Sequence, residues 1–347
     1  MNIKRILLGV VLLGIIGGGI FGYTFYGIFF TPNTSFDNEE AIVYIPTDAT
    51  IDDLKEGLST VLEDFDSFEA AAERKGYLSN IKAGKYKIGK GMNNNEIVNS
   101  LRSGSIPVKV SFNNQESIND LAGRIASQIE ADSVSLVAAF DDQEFLKANG
   151  FDDANKISLY IPNSYEFFWN TSAASFRGKM LKEYNRFWTD TRKEKASALG
   201  LKPNEVIALA SIVHKETAKV DERPTVAGVY LNRLKKGMLL QADPTVIYAI
   251  KKETGNFDTV IKRVLYKDLE MDSPYNTYKY AGLPPGPIAM PDITAIDAVL
   301  NPKKHNYYYF VANVEKFGYH MFAENLTQHN RNKAQYIRWI NAQKINR

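Results

Sequence analysis

The sequence predicts an α+β protein: one N-terminal transmembrane helix, a small α/β subdomain, and a larger, mainly helical domain with a small sheet. Three observations predict it. Residues Ile6 to Phe30 form an uncharged apolar run behind Lys4 and Arg5. Short apolar segments at Ile42–Ile45, Tyr86–Ile88 and Val108–Phe112 alternate with short capped helical patterns. Beyond residue 113 the 3.6-residue period dominates, and only Tyr307–Ala312 and Tyr319–Phe322 read as a pair of strands.

The apolar run is long enough to cross a bilayer core of about 30 Å. Tyr23 and Tyr26 lie toward its far end, where aromatic rings favour the interface. A cleaved signal peptide is the competing reading, but its apolar core normally spans about 7–15 residues and ends at a small-residue site. A retained single span in the cytoplasmic (inner) membrane fits better. The basic residues before it keep residues 1–5 in the cytoplasm and place residues 31–347 on the extracytoplasmic, periplasmic side. Residues 31–40, TPNTSFDNEE, have no periodicity and read as a linker.

A chain of 347 residues with 44% apolar side chains can bury more than one core. The formal net charge of +2 gives no sign of a nucleic-acid surface. Cysteine is absent, which excludes disulfides, thiol catalysis and thiolate metal sites. No HExxH, GxSxG or phosphate-cradling glycine loop occurs, so no metal and no cofactor is expected.

In order, Thr50 and Asp53 cap a helix to about Leu62, Phe68–Gly76 forms a second, and Glu96–Leu101 a third. Ser117-Ile118-Asn119-Asp120-Leu121 echoes Thr50-Ile51-Asp52-Asp53-Leu54 as a capped start. Asp132–Gly150 reads as one or two short helices, and Ser158–Trp169 as a dense aromatic run suited either to stacking on sugars or to ordinary core. Phe176 to about Ala198 reads as one long amphipathic helix bearing Met180, Tyr184 and Trp188. After the central helix come Glu222–Lys236, a polar bend at Gln241–Thr245 leading to a short helix, the proline-rich loop Ser273–Pro291, a helix at Asp292–Leu300 and a closing helix at Gln328–Ile345.

The central helix begins at Pro203 and is apolar on most of its circumference through Val213. Glu216 follows Leu209, Ile212 and Val213 at the i+7, i+4 and i+3 spacing, so a carboxylate lies on the stripe of core residues near the helix C-terminus. Desolvation and the negative end of the helix dipole both disfavour its ionised form. A carboxyl kept protonated near neutral pH can act as a general acid on a glycosidic bond. The bland alternative is a salt bridge to Lys215, Lys219 or Arg223. His214 lies roughly 200° around the helix from Glu216 and reads as structural.

The segments Ala210-Ser211-Ile212-Val213-His214-Lys215-Glu216-Thr217-Ala218, Val229-Tyr230-Leu231-Asn232-Arg233-Leu234 and Leu240-Gln241-Ala242-Asp243-Pro244-Thr245-Val246-Ile247-Tyr248 resemble the endolytic murein transglycosylases, the YceG-like family. Tyr275-Asn276-Thr277-Tyr278, Gly282-Leu283-Pro284-Pro285-Gly286-Pro287-Ile288 and Gly318-Tyr319-His320-Met321-Phe322 extend the resemblance over most of the chain after the apolar run. It implies a lytic transglycosylase in residues 113–347 acting within peptidoglycan glycan strands, with Glu216 as catalytic acid. Relatives carry Glu-Lys-Glu where His214-Lys215-Glu216 stands here, so the first acidic position is absent. A motif that usually reads Pro-Asp-Thr-Tyr is Pro162-Asn163-Ser164-Tyr165 in this chain, which leaves Asn163 only to orient or hydrogen-bond. Asn163, Gln241, Asp243, Asn276 and Tyr278 are the expected substrate-binding residues.

The resemblance also implies a LysM-like subdomain over residues 41–112, for which glycan binding and plain packing are both open readings, and partners among the peptidoglycan synthases of elongation or division. Three functions stand at this level: a membrane-anchored lytic transglycosylase cutting nascent strands, a water-using muramidase assisted by Asp243, and a non-catalytic glycan-binding scaffold for synthases.

Overall fold

The computed structural model describes residues 3–342. The protein is mostly helical with three two-stranded sheets among the described residues. Its contacts divide it into two compact units. The first comprises residues 1–110, 128–131 and 165–172, and the second residues 111–127, 132–164 and 173–347.

The first unit starts with α1 (Ile3–Phe30), a helix long and apolar enough to span a membrane, of which only Phe29 is buried. Next come β1 (Glu40–Ile45), α2 (Ile51–Leu58), α3 (Phe65–Arg74), β2 (Gly84–Gly89), α4 (Asn94–Ser103) and β3 (Pro107–Phe112). β1 and β2 pair antiparallel, from Glu40 opposite Gly89 to Ile45 opposite Gly84. The two-residue alternation turns Val43, Ile45, Tyr86 and Ile88 inward onto Leu54, Leu58, Phe68, Ile97 and Leu101. Each helix begins where the sequence offers a cap. Thr50 and Asp53 exchange bonds in a capping box, as do Asn93 and Glu96, and Asp64 accepts from Ser67 N.

The segment that reads as a linker is fastened to this unit. Asn33 is buried, its Nδ2 donating to Asp64 O and Asn94 Oδ1, both at 2.7 Å. Asn94 Nδ2 in turn donates to Ile28 O at 2.8 Å. Side-chain amides satisfying backbone groups are invisible to a periodicity test, which is why residues 31–35 look unstructured in sequence.

The second unit is built from α5 (Ile118–Ala126), α6 (Ser133–Phe140), α7 (Gln143–Ala148), a 3-10 turn (Lys156–Leu159), the first two residues of β4 (Asn163–Phe168, whose residues 165–168 belong to the first unit), α8 (Ala173–Phe187), α9 (Asp190–Ala198), α10 (Pro203–Glu216), α11 (Arg223–Lys235), α12 (Asp243–Thr254), α13 (Ile293–Leu300), β5 (Tyr309–Ala312), β6 (His320–Ala323) and α14 (Leu326–Ala342). The closing helix was expected to run to Ile345; residues 343–345 lie outside the described residues.

α10 is the centre of this unit. Every residue from Val206 to Val213 is buried, and the helix packs against α11 and α13. α11 approaches the chain at Lys303–His305 so closely that a Cβ on Gly228 would come within 2.6 Å of His305 Nε2 and Lys303 O. Only glycine fits there.

One expectation is corrected. The single helix from Phe176 to Ala198 is two helices, α8 and α9, parted at Trp188–Thr189. Thr189 is extended and its side chain accepts from Arg192 N, so a cap signal inside the aromatic period starts a new helix and lets Trp188 sink to 1% exposure. The aromatic run is core at Tyr160 and Ile161, with Tyr160 packed on Phe140 at 4.6 Å between ring centroids.

Candidate active site

Glu216 is the last residue of α10, and its side chain reaches a cavity of about 210 Å³ lined also by Tyr230, Arg233, Leu240, Gln241, Asp243 and Phe310. Tyr230 and Arg233 come from one face of α11 at the i, i+3 spacing, and Phe310 from β5. Phe310 closes against Tyr230 edge to face, with centroids 6.0 Å apart.

The Tyr230 hydroxyl donates to Glu216 Oε1 at 2.7 Å. Glu216 is half-buried in the residue sense, because the cavity exposes part of it, yet protein surrounds the carboxyl closely. Desolvation pushes its pKa up to about 7, the Asp243 charge adds to that, and the Tyr230 hydrogen bond with the nearby His320 and Arg233 opposes it. Burial and the Glu216 charge hold the Tyr230 hydroxyl well above its usual range, so it stays a donor. The cations that the bland reading offers are engaged elsewhere. Lys215 pairs with Glu116, Arg223 with Asp292 and Thr294, and the Lys219 amine lies over the Tyr319 ring at 5.3 Å. Arg233 spends its donors on carbonyls, with Nε to Tyr308 O at 2.6 Å and Nη1 to Leu240 O at 2.8 Å. Among the described residues Glu216 has no ion-pair partner, and its carboxyl carries a proton below about pH 7.

The bend before α12 is held by buried hydroxyls. Thr277 accepts from Ala242 N at 3.0 Å and shares a 2.8 Å hydrogen bond with Thr245, while Gln241 N donates to Thr277 O. Gln241 sits at φ 51°, a left-handed conformation that costs a non-glycine residue about 1–2 kcal/mol. This places its side chain at the cavity, where Oε1 lies 3.4 Å from Arg233 Nη1. Asp243 is in the first turn of α12, exposed, and accepts from the Tyr278 hydroxyl; its side chain does not cap the helix.

The structure therefore brings Glu216, Gln241 and Asp243 together, with Tyr278 behind Asp243. Asn276 does not join them: it is fully buried, Nδ2 donates to Leu269 O and Met271 O at 2.9 and 2.8 Å, and Oδ1 accepts from Tyr278 N. It shapes the loop that carries Tyr278. Asn163 is exposed on β4, accepts from Ser164 N and lies outside this cavity. Sequence reasoning missed Tyr230, Arg233 and Phe310. It also missed Glu222, nearly buried, which accepts from Thr217 Oγ1 (3.0 Å), His320 Nδ1 (2.9 Å) and His320 N (2.7 Å) and so ties the residue after Glu216 to β6. His214 faces Asp292 and Arg223, as a structural residue would.

The Tyr230→Phe variant gives a direct reading of this electrostatic balance. Losing a hydrogen bond to the carboxylate raises the Glu216 pKa, so the alkaline limb of a pH–rate profile is expected to move up by about one unit. An unmoved limb would mean that the hydroxyl does not act on the carboxyl.

A carboxyl with a raised pKa that faces a polar cavity and makes no ion pair among the described residues is the kind of group acid–base chemistry uses. The YceG-like family model matches residues 43–335, and the chain belongs to that family. It is 32% identical over 294 residues to the endolytic murein transglycosylase of Bacillus subtilis (strain 168), covering 80% of this chain and 79% of that protein. It is 29% identical over 300 residues to the protein of the same name from Streptococcus pneumoniae (strain ATCC BAA-255 / R6), covering 78% of this chain and 53% of that protein, so it spans about half of that relative's length. A crystal structure of a YceG-like protein from Listeria monocytogenes superposes with a TM-score of 0.56 at 28% identity, over 85% of this chain and 99% of that one.

Proposed function

We propose that this chain is a membrane-anchored lytic transglycosylase that cleaves the bond between N-acetylmuramic acid and N-acetylglucosamine within peptidoglycan strands. The observation that carries this reading is the protonated Glu216 at the cavity, with no ion-pair partner among the described residues.

Glu216 donates its proton to the glycosidic oxygen as the bond to C1 of the muramic acid breaks. The carboxylate so formed then takes the proton of that sugar's own 6-hydroxyl, whose oxygen bonds to C1. The product is a 1,6-anhydro ring, no water is consumed, and Glu216 ends protonated. An intramolecular nucleophile can reach effective molarities on the order of 10⁵ M or more, so one carboxyl serves both strokes. Asp243 supplies negative charge beside the developing oxocarbenium centre, and Gln241 offers an amide to the substrate's polar groups. α1 anchors the chain, with Lys4 and Arg5 on the cytoplasmic side and the rest outside. The β1–α2–α3–β2 order of the first unit supports reading it as a LysM-like, glycan-holding element. Endolytic cutting and work beside the synthases are inherited from the family resemblance.

Full-length protein in detergent, given purified peptidoglycan, is expected to release muropeptides lighter by one water than reducing-end products, as read by mass spectrometry. Reducing ends would assign the water-using muramidase with Asp243 as second carboxylate. No cleavage would leave the scaffold.

A further inference from the structure

The cavity at Glu216, about 210 Å³, is smaller than the roughly 300–1,000 Å³ of ordinary ligand sites and cannot by itself hold an extended strand. A second cavity of about 460 Å³ lies one residue away along two different elements. Lys215, which precedes Glu216 on α10, lines it, and so does Pro244, which follows Asp243 on α12. Successive helical residues diverge by about 100°, so the two cavities occupy adjoining sectors around the end of α10 and the start of α12.

Its walls are built. Glu116 receives ion pairs from Lys215 and from Lys251, the latter at 2.6 Å, which ties α10 to α12 through the segment before α5. Burial raises the proton affinity of Glu116, but the two lysines outweigh it and hold the carboxyl below its usual range. Gly255, at φ 66°, ends α12 and turns the chain into residues 257–261, which form the outer wall. Phe257 is half-buried there, with its ring 5.8 Å from that of Tyr248. Gln115 brings an amide to the same wall, and Thr259 a hydroxyl on the exposed side.

We infer that this second cavity is a sugar subsite, holding an N-acetylhexosamine residue of the strand next to the bond that Glu216 cleaves. It rests on the proposed glycan-cleaving reading. Two rings with amide and hydroxyl groups match the apolar face and polar rim of a pyranose. Glu116, Asp120 and Asp258 outnumber Lys215 and Lys251, so the lining offers no surplus of positive charge. That favours a neutral acetamido sugar over a free peptide stem, whose carboxylates would call for unpaired cations.

The test uses full-length Glu216→Gln protein, which binds without turnover, and peptide-free N-acetylglucosaminyl-muramic acid oligomers of two and eight sugars, titrated calorimetrically. The octasaccharide is expected to bind more tightly than the disaccharide, and Phe257→Ala in that background to lose about tenfold in octasaccharide affinity while disaccharide binding is unchanged. Thr259→Arg fills the cavity from an exposed position that does not bear on folding and is expected to give the same loss. Octasaccharide affinity unaltered by both substitutions overturns the subsite. A loss seen only with peptide-bearing strands also overturns it, since the cavity then serves the stem. Wild-type protein that makes no anhydro ends, yet shows Phe257-dependent octasaccharide binding, refutes the catalytic reading and leaves the subsite standing.

Discussion

Replacing Glu216 by glutamine is expected to lower kcat for anhydro-product formation by at least about 10³-fold, with little change in KM. General acid–base catalysis contributes about 10²–10⁴-fold for one proton transfer, and here the same group performs both. Glutamine keeps the shape and can still accept from Tyr230, so strand binding persists while the proton is gone. The wild-type profile should fall on its alkaline side near pH 7, where the carboxyl loses the proton it must donate. Single-turnover digestion of purified strands, followed by product mass, measures the effect. A Glu216→Gln protein that retains more than a tenth of wild-type kcat would move the acid to another residue, and Asp243, which lines the same cavity, would be the next to test.

The position of Glu216 was legible in the sequence because its signals are local. Pro203 at the first helical position, the apolar sequence to Val213 and a carboxylate on the buried stripe fix both ends of α10 and the side on which Glu216 lies. Capped starts at Thr50 and Ser117 were equally readable, because each needs only a residue and its neighbour three places on. What converges on Glu216 was not. α11 is buried on nearly all sides, so Tyr230 and Arg233 stand out on no polar stripe, and Phe310 reaches the cavity only through the pairing of β5 with β6. Asn276 misled for a related reason: an asparagine in a proline-rich loop reads as an offered amide, whereas burial makes it the partner of its own loop's carbonyls. The break between α8 and α9 turns on one threonine hydroxyl against a strong aromatic period.

The same carboxyl should cost the fold stability at the pH where it is ionised. In the unfolded chain Glu216 titrates near its ordinary 4.5, and in the folded protein near 7. Between those values the native state holds a proton that the unfolded state has lost, so stability falls as pH rises through that window and the full cost applies above it. A shift of about 2.5 units at about 1.4 kcal/mol each amounts to roughly 3 kcal/mol. Glutamine has no charge to bury, so Glu216→Gln is expected to match wild type near pH 4.5 and to exceed its melting temperature by about 6–12 °C near pH 8.5. The comparison is read as the difference between the two proteins at each pH, which cancels every other titrating group. A difference independent of pH would mean that Glu216 ionises as freely folded as unfolded. The loss of catalysis would then have to be traced to geometry instead of to a proton held in reserve.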